Sequence, residues 1–305
     1  MKHLKLANCD LAASEISLGC MRIDKMAKQD IATLIKTALD AGINFFDHAD
    51  VYGGGQSEAK FAEALDMTPR VRETMILQTK CGIGPGVFDF SKAHILEAVD
   101  GSLKRLRTDH LDVLLLHRPD ALVEPEEVAE AFTILETSGK VKYFGVSNQN
   151  PMQIELLTKF VKQKIVFNQL QLSITNTGMI DAGINVNMEI DPSINRDGSI
   201  LDYCRLKDIT IQPWSPFQYG FFEGVFLDNP KFPELNKKID EIAAAYNVTN
   251  TTIAIAWLLR HPAHMQPIIG TTNPDRVKDS CKASDISLTR QEWYEIYRAA
   301  GNKLP

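Results

Sequence analysis

The chain has 305 residues, 44% of them hydrophobic, with 33 Lys and Arg against 39 Asp and Glu for a net charge of −6. This balance argues against nucleic acid or an anionic membrane as the main partner, but a small anionic ligand needs only a local positive site. The five cysteines, Cys9, Cys20, Cys81, Cys204 and Cys281, are scattered and form no CxxC pair, so reduced thiols are expected rather than a disulfide framework or a metal site. The first ten residues hold no apolar core of roughly 7–15 residues, and no stretch reaches the ~18 apolar residues of a membrane span. A cytoplasmic protein is the expectation.

A strand–helix alternation runs along the chain. Glu15–Leu18 reads as an early strand and Asn44–Phe46 as the next, followed by a helix over Ser57–Leu65 and a strand over Met75–Thr79. Ser91 fits an N-cap for a long helix to Arg107, with Ile95, Val99 and Leu103 four apart on one face. Leu111–Leu116 is too apolar for a half-exposed strand and should be buried on both faces. Pro125 suits a first helical position and Gly139 a C-terminal stop. Strands follow at Lys142–Val146, Ile165–Asn168, Ile209–Gln212 and Pro267–Ile269, and Asn150-Pro151 and Asn273-Pro274 each open a helix by a cap and a proline.

Eight such alternations with no composition break or linker favour one closed (β/α)8 TIM barrel over residues 1–305. Lys2–Leu6 is expected as an extra strand plugging the barrel bottom, and Thr289–Ala300 as an added C-terminal helix. Two long segments follow strands and should lie on the barrel's active face. One is the polar, turn-rich stretch Ser173–Ser199. The other is Phe217–Pro233, with Phe217, Phe221, Phe222, Phe226 and Phe232. The phenylalanines could line a pocket or simply pack the loop down.

Asp47, Tyr52, Lys80 and His117 each come just after an apolar run. In a parallel barrel those strand ends meet at one face. A tyrosine alone is a poor acid, with a pKa of ~10, and a neighbouring ammonium should lower it. Lys80 could supply that ammonium and Asp47 could hold it, while His117 could align a carbonyl oxygen. Carbonyl reduction needs such a proton donor, and its hydride must come from a cofactor. Each residue also has a structural alternative: an ion pair, a capping aromatic, a satisfied core histidine. Gly53-Gly54-Gly55 and Gly82-Ile83-Gly84-Pro85-Gly86 do not fit the dinucleotide fingerprint. Thr271, Thr272 and Arg276, at the start of the helix after the last strand, suit a phosphate instead. Ser147, Asn148 and Gln169 could bind a carboxamide, and Trp214 offers a flat face for a nicotinamide ring.

With these residues in view, the chain resembles the aldo-keto reductase superfamily. Phe46-Asp47-His48-Ala49-Asp50-Val51-Tyr52-Gly53 is similar to its first signature, and Leu114-Leu115-Leu116-His117-Arg118-Pro119-Asp120 to its strand-four motif. Gly139 to Asn148 resembles its GK-to-GVSN stretch, and Trp214-Ser215-Pro216-Phe217 its aromatic loop. The resemblance implies NADPH-dependent reduction of aldehydes or ketones, with Tyr52 as acid, Lys80 and Asp47 as its tuners and His117 as aligner. It also implies cofactor contacts from Gly19, Met21 and Arg22 in the first loop, from Ser147, Asn148, Gln169, Trp214, Ser215 and Phe217, and from Gly270, Thr271, Thr272 and Arg276. Gly19-Cys20-Met21-Arg22 is closer to the bacterial oxidoreductase branch. His48 stands where a small hydroxyl residue is usual, and Asp279-Ser280 where many members have an acidic-Asn pair. Gly270 stands where many carry Lys, which leaves NADH open beside NADPH.

Two other functions fit parts of the pattern. A barrel could hold NADPH as a redox sensor or regulatory subunit with little turnover. A metal-dependent hydrolase could use Asp47, His48, Asp50 and His117 as ligands, but Lys80 would repel the ion. The expected partner is a small-molecule carbonyl compound acting on a monomer or small homo-oligomer, with no resident metal.

Overall fold

The computed structural model describes residues 1–6 and 8–305. Its main sheet has eight parallel strands: β1 (Ser17–Gly19), β2 (Phe45–Asp47), β3 (Ile76–Cys81), β4 (Leu111–Leu116), β5 (Val141–Ser147), β6 (Ile165–Gln171), β7 (Thr210–Trp214) and β8 (Ile268–Ile269). They are ordered β7-β6-β5-β4-β3-β2-β1-β8. The ends meet where Gln266 N–H donates to the Ile211 carbonyl at 3.0 Å, just ahead of β8. The sheet is therefore a (β/α)8 barrel, with helices such as Lys28–Asp40, Lys92–Leu106, Pro125–Thr137 and Asn250–Leu259 around it.

β4 shows why the sequence chooses this form. All six of its residues are buried. Val113 and Leu115 join Phe45, Phe167 and Leu6 in an inner cluster, while Leu114 and Leu116 pack outward among the helices. A strand apolar on both faces has no side left for water, which suits a barrel wall covered by helices. Glycine completes one tight point in the neighbouring strand. A Cβ at Gly145 would lie 2.6 Å from Leu115 and 2.7 Å from the Phe167 carbonyl.

The N-terminal segment forms a hairpin, His3–Lys5 against Ala12–Ser14. Its Leu6 and Ala13 enter the inner cluster beside Phe45, Ile76 and Val166, at the strands' starting ends. The expected plug is thus present. The C-terminal helix Arg290–Ala299 is capped by Thr289. It docks through Trp293, stacked on Trp257 at 4.7 Å and 7°. Each indole N–H donates to the other residue's carbonyl, at 3.1 and 3.0 Å, which satisfies two buried donors.

One expectation needs correction and another is narrowed. Asp47 and Lys80 lie inside β2 and β3, not beyond them, because inward-facing polar residues continue the strands past the last apolar one. The Ser173–Ser199 segment does not line the cavity described below. It folds down through a helix at Gly178–Ile184 and a short turn at Asp191–Ser193. Its Ser173 hydroxyl donates to the Gln218 carbonyl (2.7 Å), and its Asp181 accepts from the Tyr297 hydroxyl (2.6 Å). The Phe-rich segment divides between the two readings: Phe226 is core, Phe232 packs edge-on to Tyr219, and Phe217 and Phe222 line the cavity.

Candidate active site

A cavity of about 480 Å³ opens at the carboxyl ends of the strands. Of the residues expected at the site, Lys80 alone does not line it. Lys80 is fully buried behind Tyr52. Its Nζ donates to the Asp47 carboxylate at 2.8 Å, to the His48 carbonyl at 2.7 Å and to the Tyr52 hydroxyl at 3.2 Å. Tyr52 reaches the ammonium because the chain turns sharply after it. Gly53, Gly54 and Gly55 all have positive φ (58°, 63° and 88°), a run that residues with a Cβ rarely adopt. His117 meets Tyr52 edge to face, with ring centres 5.9 Å apart.

The electrostatics differ in one respect from the sequence argument. Burial raises the Tyr52 pKa by more than the Lys80 ammonium lowers it, so the net direction is upward. The phenol is therefore protonated throughout the neutral range. Burial pulls Lys80 down, but Asp47 and Tyr52 together push it above the ordinary lysine value, and it is a cation. Burial, followed by the charges of Lys80 and Arg118, holds His117 well below the usual imidazole range. His117 is accordingly neutral, and its Nδ1 has no partner among the described residues. Tyr52 and His117 present a held proton and a neutral imidazole to the cavity, with the fixed Lys80 cation buried behind the phenol.

Under the cavity floor lies a layer that sequence reasoning missed. Gln78 Nε2 donates to Asp47 Oδ1 (2.6 Å) and to Gln212 Oε1 (2.9 Å). Gln169 Nε2 donates to the same two oxygens at 3.0 and 3.3 Å. Gln212 passes the chain to Gln266 (2.8 Å), which ends on the Ser14 carbonyl (2.7 Å). Asp47 therefore receives two amide donors besides Lys80, which fixes its carboxylate.

The remaining residues form the cavity's other flank. Asn148 Nδ2 donates to the Ser147 hydroxyl (2.7 Å), Ser147 donates to the Gln169 carbonyl (3.1 Å), and Trp214 Nε1 donates to Asn148 Oδ1 (3.1 Å). These groups are brought together, but their polar atoms are turned on one another. Phe222 stacks on Trp214 at 5.8 Å and 21°, so one indole face is covered by protein. Asn148 and Ser215 have positive φ (57° and 54°), which bends the chain at the ends of β5 and β7.

Across the mouth, Asn273 caps the helix Pro274–Lys282, accepting from Asp275 N (2.8 Å) and Arg276 N (3.4 Å). The Arg276 side chain is exposed and lines the cavity with Gly270, Thr271 and Thr272. Gly19, Met21 and Arg22 line it from the β1 end. Sequence reasoning gave no role to three further lining residues, Arg118, Asp228 and Asn250. Arg118 carried a signal, since it adjoins His117. Asp228 comes from the Phe-rich segment and Asn250 from the first turn of the helix Asn250–Leu259, and they meet only through the fold, where Asn250 Nδ2 donates to Asp228 Oδ1 at 3.0 Å.

Comparison with known proteins gives a single answer. A model of the Aldo/keto reductase family matches residues 15–300. An uncharacterised oxidoreductase, YcsN, of Bacillus subtilis is 36% identical over the whole of both chains. A 6-dehydroglucose reductase of Novosphingobium aromaticivorans is 35% identical, covering 99% of this chain and 96% of its own. Among solved structures, an aldo-keto reductase from Klebsiella pneumoniae in complex with NADPH superposes with a TM-score of 0.78 at 24% identity, over 97% of this chain and 94% of that one. The fold, the motifs and these matches agree: the chain is an oxidoreductase belonging to the Aldo/keto reductase family.

Proposed function

We propose that the protein reduces aldehydes or ketones to alcohols with NADPH, and that Tyr52 is the general acid. The observation that carries this reading is the contact of the Tyr52 hydroxyl with Lys80 Nζ at 3.2 Å on the wall of an open cavity. When bound, NADPH supplies the hydride that no side chain can provide. The Tyr52 proton passes to the carbonyl oxygen as that oxygen gains negative charge, and the Lys80 cation stabilises the phenolate left behind. Asp47 holds Lys80 charged and in place. Neutral His117, with its proton on Nε2, donates to the carbonyl oxygen and aligns it.

The cavity's other residues fit such a cofactor. The exposed fork of Arg276, the hydroxyls of Thr271 and Thr272 and the helix start suit a phosphate, and Gly270, Gly19, Met21 and Arg22 border that path. Ser147, Asn148 and the Gln169 oxygen suit a carboxamide. Trp214, Ser215 and Phe217 suit the adjoining ring.

The test is Tyr52→Phe with 4-nitrobenzaldehyde. Turnover should fall at least ~10²-fold while NADPH affinity, followed by its fluorescence, stays within a few-fold. Unchanged turnover would remove Tyr52 from its role. Absence of turnover in the unaltered protein, with NADPH bound, would favour a redox-sensing barrel.

A further inference from the structure

Arg118 follows His117 out of β4 and lines the same cavity as Tyr52. Arg72, Arg105 and Arg205 each have a carboxylate partner. Arg118 has none among the described residues. The acid nearest to it in sequence, Asp120, is already engaged, since its two oxygens accept from Phe90 N (2.9 Å) and Leu122 N (2.8 Å). Among the described residues, the partner the fold gives the guanidinium is the Trp214 ring, 5.6 Å from its carbon. Ring contact leaves five N–H donors without acceptors. Burial lowers the Arg118 pKa while the Tyr52 phenol opposes that shift, so the two groups are close enough to sense each other. An arginine remains charged throughout the neutral range all the same. A half-buried cation that faces the cavity and has no carboxylate partner among the described residues keeps its donors available to an anionic ligand.

The position of Arg118 argues against the cofactor's phosphates as that ligand. In the strand order β7-β6-β5-β4-β3-β2-β1-β8, closed into a ring, β4 stands opposite β8. The phosphate-fitting Thr271, Thr272 and Arg276 follow β8, and Arg118 follows β4. A dinucleotide anchored at β8 would have the proton donor between its phosphates and Arg118. One wall beside Arg118 is aromatic: Trp214, with Phe222, which also lines the cavity, stacked on it.

We infer that Arg118 is a substrate-recognition residue, and that the protein prefers carbonyl compounds bearing a small anionic group, such as a carboxylate, on an apolar or aromatic body. This inference rests on the reductase reading of the same cavity. The planar guanidinium grips a carboxylate through two parallel N–H donors, and a neutral carbonyl compound of the same shape leaves those donors unpaired.

The experiment compares matched aldehydes, the 2-, 3- and 4-carboxybenzaldehydes against the corresponding methylbenzaldehydes, with NADPH. At least one carboxylated isomer should exceed its uncharged partner about tenfold in kcat/KM. Arg118→Gln should bring that ratio down to about one, a roughly tenfold loss within reach of a charge-assisted pair, and Arg118→Lys should keep part of it. A wild-type ratio near one for all three isomers, or a ratio that Arg118→Gln leaves intact, overturns the inference. A binding measurement keeps the question separate from turnover. Benzoate should quench tryptophan fluorescence of the NADPH-loaded protein more tightly than benzyl alcohol does, and Arg118→Gln should abolish the difference. If no aldehyde is reduced, the reductase reading fails, and the benzoate comparison alone still decides the role of Arg118.

Discussion

Lys80 Nζ lies 3.2 Å from the Tyr52 hydroxyl and 2.8 Å from the Asp47 carboxylate, joining one buried cation to two residues of the loop-and-strand unit before it. The contact is short because β2 and β3 are neighbours in register, with Asp47 opposite Gln78, two residues ahead of Lys80. Lys80 and Gln78 thus point the same way along β3 and reach the same carboxylate. Tyr52 is then delivered to the ammonium by the three left-handed glycines.

Replacing Lys80 tests whether the cation matters to chemistry or only to folding. Lys80→Met should lower kcat at least ~10²-fold, because the phenolate would lose its counter-charge. Removing one partner of a buried ion pair also costs roughly 3–5 kcal/mol. Asp47 keeps its donors from Gln78 and Gln169, so the loss should fall at the lower end of that range. Denaturant unfolding measures the second effect and single-turnover kinetics the first. Turnover within threefold of the unaltered protein would reduce Lys80 to a structural cation.

Arg276 offers a test of cofactor choice. Its side chain is exposed, lines the cavity and has no ion pair among the described residues. Arg276→Ala should raise the KM for NADPH about 10- to 100-fold, the worth of a charge-assisted phosphate contact. The KM for NADH should move by no more than about threefold. Equal losses for both nucleotides would show that Arg276 does not read the additional phosphate.

The barrel was legible in the sequence because its strands are short apolar runs alternating with helical segments, and because caps such as Ser91, Asn150 and Asn273 mark helix starts by local chemistry. The site residues were legible because they stand at strand ends. The glutamine layer was not. Gln78, Gln169, Gln212 and Gln266 come from four strands or strand approaches and become a network only when the barrel closes. The direction of the Tyr52 shift was hidden for a similar reason. A sequence shows that an ammonium is near, but not how much water the phenol loses. That the Ser173–Ser199 segment stays out of the cavity was not legible either, because turn-rich polarity says that a loop is exposed and not what it packs on.

His48 yields a prediction about stability. It is fully buried, both ring nitrogens lack partners among the described residues, and its ring lies edge-on to Phe61 at 4.5 Å. Burial, followed by the charge of Lys80, lowers its pKa to about 3 from an ordinary 6.5. The folded state therefore refuses a proton that the unfolded chain accepts below pH 6.5, and the His48 contribution to stability is lost as pH falls from 6.5 toward about 3. Between pH 7 and pH 5 the loss should be about 2 kcal/mol from this residue alone. Asp50 works in the opposite direction: burial, and then Glu58, raises its pKa to about 6, so acidification relieves a cost there. The contribution of His48 can be isolated with His48→Thr, whatever that change does to stability at pH 7. The variant should lose about 2 kcal/mol less than the unaltered protein over the same pH interval, measured by urea unfolding at both pH values. Parallel losses in the two proteins would mean that the His48 imidazole takes up a proton as readily in the folded state as in the unfolded one.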